Sequence, residues 1–284
     1  MGAVPRFAPA ALVARTQADS SQAIAQVVMR ASRISTILLL DENMLKVELH
    51  THTSDDPDDY IPYTTRELVD RAAELRYDAV AITLHHRQLD LAGIVDYARG
   101  CGVTLIPGAE VSIEGRHVLL INFPLNAGAE RVRTFDDLAA LRTRARGAGW
   151  LVVAPHPFYP ASSCLNHRLE AHPELFDAVE ISAFHTRWLD FNRRAREWAR
   201  AQGKPLVGNC DVHRLSFLGP TYSLVDAAPD PHAICEAIRA GRVEVCSTPL
   251  STARAAHELA QLLYGDVQKL RWRMGGRPAP ASAA

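Results

Sequence analysis

Short apolar runs of strand length, separated by segments of helical periodicity, constrain this chain more than any other feature. The runs read DAVAIT (78–83), TLIPG (104–108), HVLLINF (117–123), WLVVAP (150–155), AVEISAF (178–184), PLVGN (205–209) and RVEVCS (242–247). Between most of them lies an amphipathic stretch. In TTRELVDRAAELR, Thr64 and Glu67 form a capping box, and Leu68, Ala72 and Leu75 recur at helical spacing. TFDDLAALRTRARGAG, WLDFNRRAREWARAQG and PDPHAICEAIRAGR repeat the pattern. Strand and helix alternating this often predict an α/β chain built on a mostly parallel sheet or barrel. A hydrophobic content of 48% over 284 residues suits one sizeable core, and no Gly/Ser-rich or Pro-rich linker divides residues 45–250.

Charge narrows the partners. Lys plus Arg number 31 and Asp plus Glu 32, so no global field calls for a nucleic-acid or membrane-surface partner. Cys101, Cys164, Cys210, Cys235 and Cys246 are scattered and odd in number, which indicates neither a disulfide framework nor a zinc ribbon and suits a reducing cytoplasm. The N-terminus lacks a basic region followed by a long apolar run, and no segment has the uninterrupted length of a membrane span, so the expectation is a soluble, unexported protein. Residues 1–45 read as an N-terminal extension, with a helix around SSQAIAQVVMRAS and an apolar run, ISTILLL. Residues 251–284 read as an amphipathic helix, ELAQLLYGDVQKLRWRM, whose basic aromatic cluster is a solvated face, followed by a disordered tail, GGRPAPASAA.

The polar outliers gather where the strands end. VELHTH closes on His50 and His52, AITLHH on His85 and His86, LIPGAE on Glu110, VVAPHP on His156, and LVGNCDVH on Asp211 and His213. Side chains alternate along a strand, so His50 and His52 share a face, as do Asp211 and His213, and each pair can chelate. A lone histidine near a strand end is more often a hydrogen-bonded structural group than a ligand. Several strand ends carrying imidazoles and carboxylates into one concave face reverse that balance, because such a pocket needs a cation to compensate it. More than one divalent ion is expected. Mixed imidazole and carboxylate donors favour zinc, manganese or iron over calcium.

HTHTSDD, AITLHH, PGAEVS, APHP and GNCDVH, in this order and at these intervals, resemble the motif series of the PHP (polymerase and histidinol phosphatase) family over residues 46–250. The resemblance implies a distorted seven-stranded (β/α) barrel of the TIM-like metal-dependent hydrolase kind, with a trinuclear metal cluster at the carboxyl ends of the strands. Carried over position by position, it assigns His50, His52 and Asp211 to a first metal. Glu110 bridges to a second, which His117 and His156 complete, and Asp56, His85 and His213 hold a third. Either Asp55 or Asp56 suits the acidic position of the first loop, and Asp56 is the choice. The second motif departs from the usual pattern, with Leu84 before its histidine and His86 after it. Glu110, Asp211 and His213 are the catalytic candidates.

The activity so implied is phosphoester hydrolysis by a metal-bridging hydroxide, with two or three divalent ions (Mn, Fe or Zn) as cofactors. The substrate is a small phosphomonoester or a short oligonucleotide, with no membrane and no obligate protein partner. Arg87, Arg187 and Arg214 stand near strand ends as candidate phosphate ligands. Glu48 and Asn209 share faces with ligand positions and are candidates to orient them through hydrogen bonds. A rival reading is a non-catalytic metal-binding barrel acting through a partner. A C–N hydrolase of the amidohydrolase kind also begins with an H-x-H strand, but it would usually want a metal-bridging lysine at a strand end, and none lies there.

Overall fold

The computed structural model describes residues 44–145 and 149–275. The helix and apolar run expected before residue 44, and the tail expected after residue 275, lie outside that range. Among the described residues nine strands form one sheet: β1 (Leu45–Glu48), β2 (Ala79–Ile82), β3 (Thr104–Ile113), β4 (Arg116–Ile121), β5 (Leu151–Ala154), β6 (Ala178–Ser182), β7 (Leu206–Asn209), β8 (Thr221–Val225) and β9 (Val243–Ser247). Their order is β7-β6-β5-β4-β3-β2-β1-β8-β9. The expected parallel pairing holds from β1 to β3 and from β5 to β7, while β4 opposes both its neighbours and β8 opposes β1 and β9.

The reversal at β4 has a local cause. Glu114 and Gly115 form a two-residue loop with φ of 50° and 75°, the doubly left-handed geometry that joins tightly twisted hairpins. β3 therefore runs on past Glu110, which sits within a strand rather than at its end, and the hairpin sets Ser112 opposite His117.

The sheet curls into a barrel that closes between its first and seventh strands. Beyond β1, Thr51 makes a parallel bridge to Val212 beyond β7. The His52 N–H donates to the Val212 carbonyl (3.2 Å) and the Val212 N–H to the His50 carbonyl (3.0 Å). Lower down, the antiparallel β8–β9 pair takes the gap, where the Gly208 N–H donates to Ser223 Oγ at 2.9 Å. Val47, Ala81, Ile106, Leu119, Val153, Ala178 and Val207, drawn from every strand of the ring, are fully buried together and form its interior. Close packing of this kind fixes the strands rigidly beneath the site.

Helices coat the outside. α1 (Thr65–Glu74) carries the expected capping box of Thr64 and Glu67, followed by α2 (Val95–Gly100) and α3 (Phe135–Arg144), which has a second box of Thr134 and Asp137. α4 (His167–Ala171) and α5 (Asn192–Gln202) follow. α6 (Pro231–Arg239), capped by Asp230, lends Ile234, Cys235, Ala237 and Ile238 to the interior cluster. Because it connects β8 to β9 where β8 meets the start of β1, it plugs the end of the barrel opposite the ligand-rich strand ends. α7 (Thr252–Gly275) is the expected C-terminal helix. Arg271 on it is exposed, but so are Leu263, Val267 and Leu270.

β8 is the strand that periodicity missed. TYSLV buries Thr221 and Ser223, whose hydroxyls are bonded to Ser247 and to the Gly208 backbone, so its inward face is polar and leaves no apolar run. The cysteines at 101, 164, 210, 235 and 246 are all free thiols, and no described helix is long and apolar enough to cross a membrane.

The seam at Gly208 leaves no room for a side chain, since a Cβ there would lie 2.7 Å from the Tyr222 carbonyl oxygen and 2.9 Å from Thr221 Cγ2. Gly208→Ala is expected to cost roughly 1–3 kcal/mol through forced backbone displacement. Urea unfolding followed by circular dichroism measures the change.

Candidate metal centre

The closure of the barrel is what brings the polar residues together. His50 and His52 flank the Thr51 bridge, and Asp211 and His213 flank its partner Val212. His85 extends β2 and bridges to Glu110 of β3. His117 enters from the start of β4, and His156 follows β5. His156 and Asp211 hold positive φ of 28° and 54°, a strain of roughly 1–3 kcal/mol each.

Glu110 stands at the middle, 1% exposed. Its Oε2 lies 3.4 Å from His50 Nε2, 3.4 Å from His52 Nε2 and 3.1 Å from His85 Nε2. Its Oε1 faces His117 Nδ1 at 2.7 Å and His156 Nε2 at 3.6 Å. Asp211 Oδ1 lies 3.2 Å from His50 Nε2, 3.4 Å from His52 Nε2 and 3.3 Å from His213 Nδ1. One carboxylate thus spans two groups of imidazoles, and a second spans three rings on one side of it.

These contacts are close without being satisfied. His50 Nε2, His52 Nε2, Glu110 Oε1 and Asp211 Oδ1 are buried and make no hydrogen bond, His117 lying out of line with Glu110 despite its proximity. Buried polar atoms left without partners are costly unless something else meets them. Sets drawn from these residues, such as His50, His52 and Glu110, or His85, Glu110 and His117, place their donor atoms within 4.8 Å of one another. Nitrogen and carboxylate donors converging on shared points suit divalent zinc, manganese or iron. The residues present fit a metal cluster.

The opposite faces of the rings are tied down. His50 Nδ1 pairs with Glu180 Oε2 at 2.9 Å, Asn209 Nδ2 donates to the same oxygen at 3.0 Å, and Asn209 Oδ1 accepts from the Leu49 N–H at 3.0 Å. Asp56 Oδ2 accepts from His52 Nδ1 (2.9 Å) and from the His85 N–H (2.9 Å) and Nδ1 (3.0 Å), while its Oδ1 accepts from the Asp58 and Asp59 N–H groups, each at 2.9 Å. His156 Nδ1 meets Cys164 Sγ at 3.3 Å. Each such contact turns the ring's free nitrogen toward the centre, as outer hydrogen bonds do at metal sites.

The geometry redistributes several of the roles expected from sequence. Asp56, assigned as a ligand, accepts hydrogen bonds at both oxygens that orient His52 and His85, and with those two rings it also forms one of the donor sets close enough to share an ion. Asp59 is the acidic residue facing the cavity, its Oδ2 3.1 Å from His213 Nε2 and 3.8 Å from His85 Nδ1, with Lys269 of α7 paired to its other oxygen. Asp55 lies apart, at 3.4 Å from the Thr65 hydroxyl. Glu48 does not hold an imidazole, because its oxygens accept from the backbone N–H groups of His50 (3.1 Å) and Cys210 (3.0 Å). Asn209 acts on His50 through Glu180. Arg214 lines the cavity, whereas Arg87 is exposed and donates to the Asp55 carbonyl (3.2 Å), and Arg187 is exposed outside the lining. Glu180 was legible as an acid inside the apolar run AVEISAF, and Asp59 was hidden among neighbouring aspartates.

Electrostatics follow from burial and charge. Burial disfavours a charged Glu110, but His117 and His50 outweigh it and hold the carboxyl well below its usual range. Burial lowers the His85 pKa, yet Asp56 and Glu110 lift it to about 10. Such a set of anions raises imidazole basicity in proportion to its need for a cation.

Among solved structures, the fold is similar to a two-domain protein from Bacteroides vulgatus containing a predicted PHP-like metal-dependent phosphoesterase, at 18% identity and a TM-score of 0.55 over 72% of this chain and 65% of that one. This chain therefore spans just under two thirds of that protein's length. PsfC from Pseudomonas syringae is similar at 18% identity and a TM-score of 0.53, over 81% of this chain and 99% of that one. The chain has the PHP fold. A family model described as PHP-associated also matches residues 190–243, which include Asp211 and His213. The lesion-specific endonuclease PfuEndoQ from Pyrococcus furiosus is similar at 14% identity and a TM-score of 0.52, over 75% of this chain and 66% of that one. No curated protein matches the chain by sequence.

Two outcomes are expected. Glu180→Gln should keep the barrel folded and weaken metal affinity roughly 10–100-fold, read by competition with a chromophoric chelator. Glu48, fully buried, has a carboxyl pushed from 4.5 to about 8 by burial. Between those values the unfolded chain releases a proton that the folded chain keeps, so this group's contribution to stability falls as pH rises from about 4.5 to 8. Glu48→Gln should flatten that part of the melting-temperature profile against pH.

Proposed function

We propose that the centre hydrolyses phosphoric ester bonds, with two or three divalent ions (manganese, iron or zinc) as its cofactors. The observation that carries this reading is the convergence of His50 Nε2, His52 Nε2, Glu110 Oε1 and Asp211 Oδ1, buried and without hydrogen bonds, on one face of the barrel. His50, His52 and Asp211 form one ligand group, His117 and His156 a second, and His85, His213 and Asp59 a third, with Glu110 placed to join them. Bound there, divalent ions supply charge to neutralise phosphoryl oxygens and acidify a water.

The chain's own residues do the positioning. Glu180, Asn209 and Asp56 fix ring orientation, so that little reorganisation remains when a substrate arrives. Arg214, half-buried at the cavity wall, offers a guanidinium to a phosphoryl group. The similarity to PfuEndoQ keeps a short oligonucleotide among the substrate classes beside small phosphomonoesters.

Protein purified without chelator or nickel is expected to hold two or three equivalents of metal by mass spectrometry and to release phosphate from a phosphoester panel. Glu110→Gln should lose metal and at least about a hundredfold in rate, as removal of a central charge-organising group does, while its thermal unfolding stays cooperative. Full activity in that variant would overturn the mechanism.

A further inference from the structure

The metal-ligating residues occupy one wall of a cavity of about 450 Å³. The rest of its lining is different in kind. Tyr159, Phe184, Phe191, Phe217, Leu259 and Leu262 line it, the last two contributed by α7. The Tyr159 ring lies 5.2 Å from that of Phe191, and its hydroxyl donates to the Phe184 carbonyl at 2.9 Å, so the polar tip is tied away and the ring is left as apolar surface. Leu259 and Leu262 are 50% and 44% exposed. Apolar side chains left in water beside a polar site are the usual lining of a pocket for an apolar ligand group.

Charge argues in the same direction. Among the described residues Arg214 is the one lysine or arginine that lines the cavity, and Arg87 and Arg187 lie outside it. Lys269 is paired with Asp59, and Glu258 adds an acid to the lining. A strand with several phosphates would find a single guanidinium, whereas nucleic-acid affinity is built from many phosphate contacts. A sugar phosphate would set most of its hydroxyls against aromatic and leucine side chains, with Ser163 and Ser182 as the hydroxyl groups of the lining.

Resting on the phosphoesterase reading, we infer that the substrate is a phosphomonoester of an apolar alcohol, aromatic or branched aliphatic. Its phosphate is held at the metal-ligand wall near Arg214, and its organic group lies against Tyr159, Phe191 and Leu262. α7 is then a specificity element, because it supplies part of that apolar wall.

Binding of non-hydrolysable phosphonates tests this apart from turnover. Calorimetry on the full metal-loaded chain should show phenylphosphonate binding at least about tenfold tighter than methylphosphonate, the scale expected for burying a phenyl ring. Leu262→Glu, at an exposed helical position, and Phe191→Ala should each shrink that ratio while leaving methylphosphonate affinity and metal content unchanged. Equal affinities in the unmodified chain, a ratio indifferent to both substitutions, or a short oligonucleotide binding more tightly than phenylphosphonate would overturn the inference. A preserved ratio in a chain that releases phosphate from no ester would contradict the hydrolytic reading and leave the pocket assignment standing.

Discussion

Two backbone hydrogen bonds, from the His52 N–H to the Val212 carbonyl and from the Val212 N–H to the His50 carbonyl, close the barrel and assemble the centre in one step. Each bond joins the chain beyond β1 to the chain beyond β7, and the residues they fix are flanked by His50, His52, Asp211 and His213. The ligand positions are therefore consequences of barrel closure rather than additions to it. A one-residue slip at this seam would turn each chelating pair to the wrong face. The antiparallel β8–β9 pair supports the same seam from below, where Ser223 and Gly208 allow the strands to approach closely.

Packing and charge then divide the barrel along its axis. The interior below is filled with Val, Ala, Leu and Ile and plugged by α6. The layer above holds Glu180, Asn209, His50, His52 and Glu110, all buried. Polar groups at that depth are tolerated because nearly every one has a defined partner: Leu49 binds Asn209, Asn209 binds Glu180, and Glu180 binds His50. The unpartnered atoms face a common point. That asymmetry, satisfied outer atoms and unsatisfied inner ones, is what the proposed metal centre requires of a preorganised ligand cage.

Much of this was legible in the chain itself. Apolar runs ending in His, Asp or Glu revealed which strand ends converge, since strand periodicity is a local property. The capping box at Thr64 did the same for a helix start. What stayed hidden depended on tertiary pairing. Nothing local tells whether Asp55, Asp56 or Asp59 faces the cavity, because the loop's path is set by the Asp58 and Asp59 N–H groups wrapping Asp56. β8 escaped notice because its inward residues are hydroxyls satisfied across the seam. Glu48 shared the expected face with the histidines, yet its carboxyl is captured by backbone N–H groups brought from the far end of the sequence.

The division of labour extends to the mouth of the cavity. Ligands to a cluster must be held to within a fraction of an ångström, and they come from strands or their immediate extensions, the rigid part of the fold. The apolar wall comes instead from the segments after β5, β6 and β7 and from α7, whose residues lie outside the barrel's interior cluster. A fold organised in this way can keep one bond-breaking chemistry while its rim decides what is brought to it. Among the described residues, Lys269 of α7 pairs with Asp59, and Arg254 of the same helix donates to the Ser216 carbonyl beyond β7. The helix that carries Leu259 and Leu262 is thereby fastened both to the loop of Asp59 and to the segment that follows Asp211 and His213.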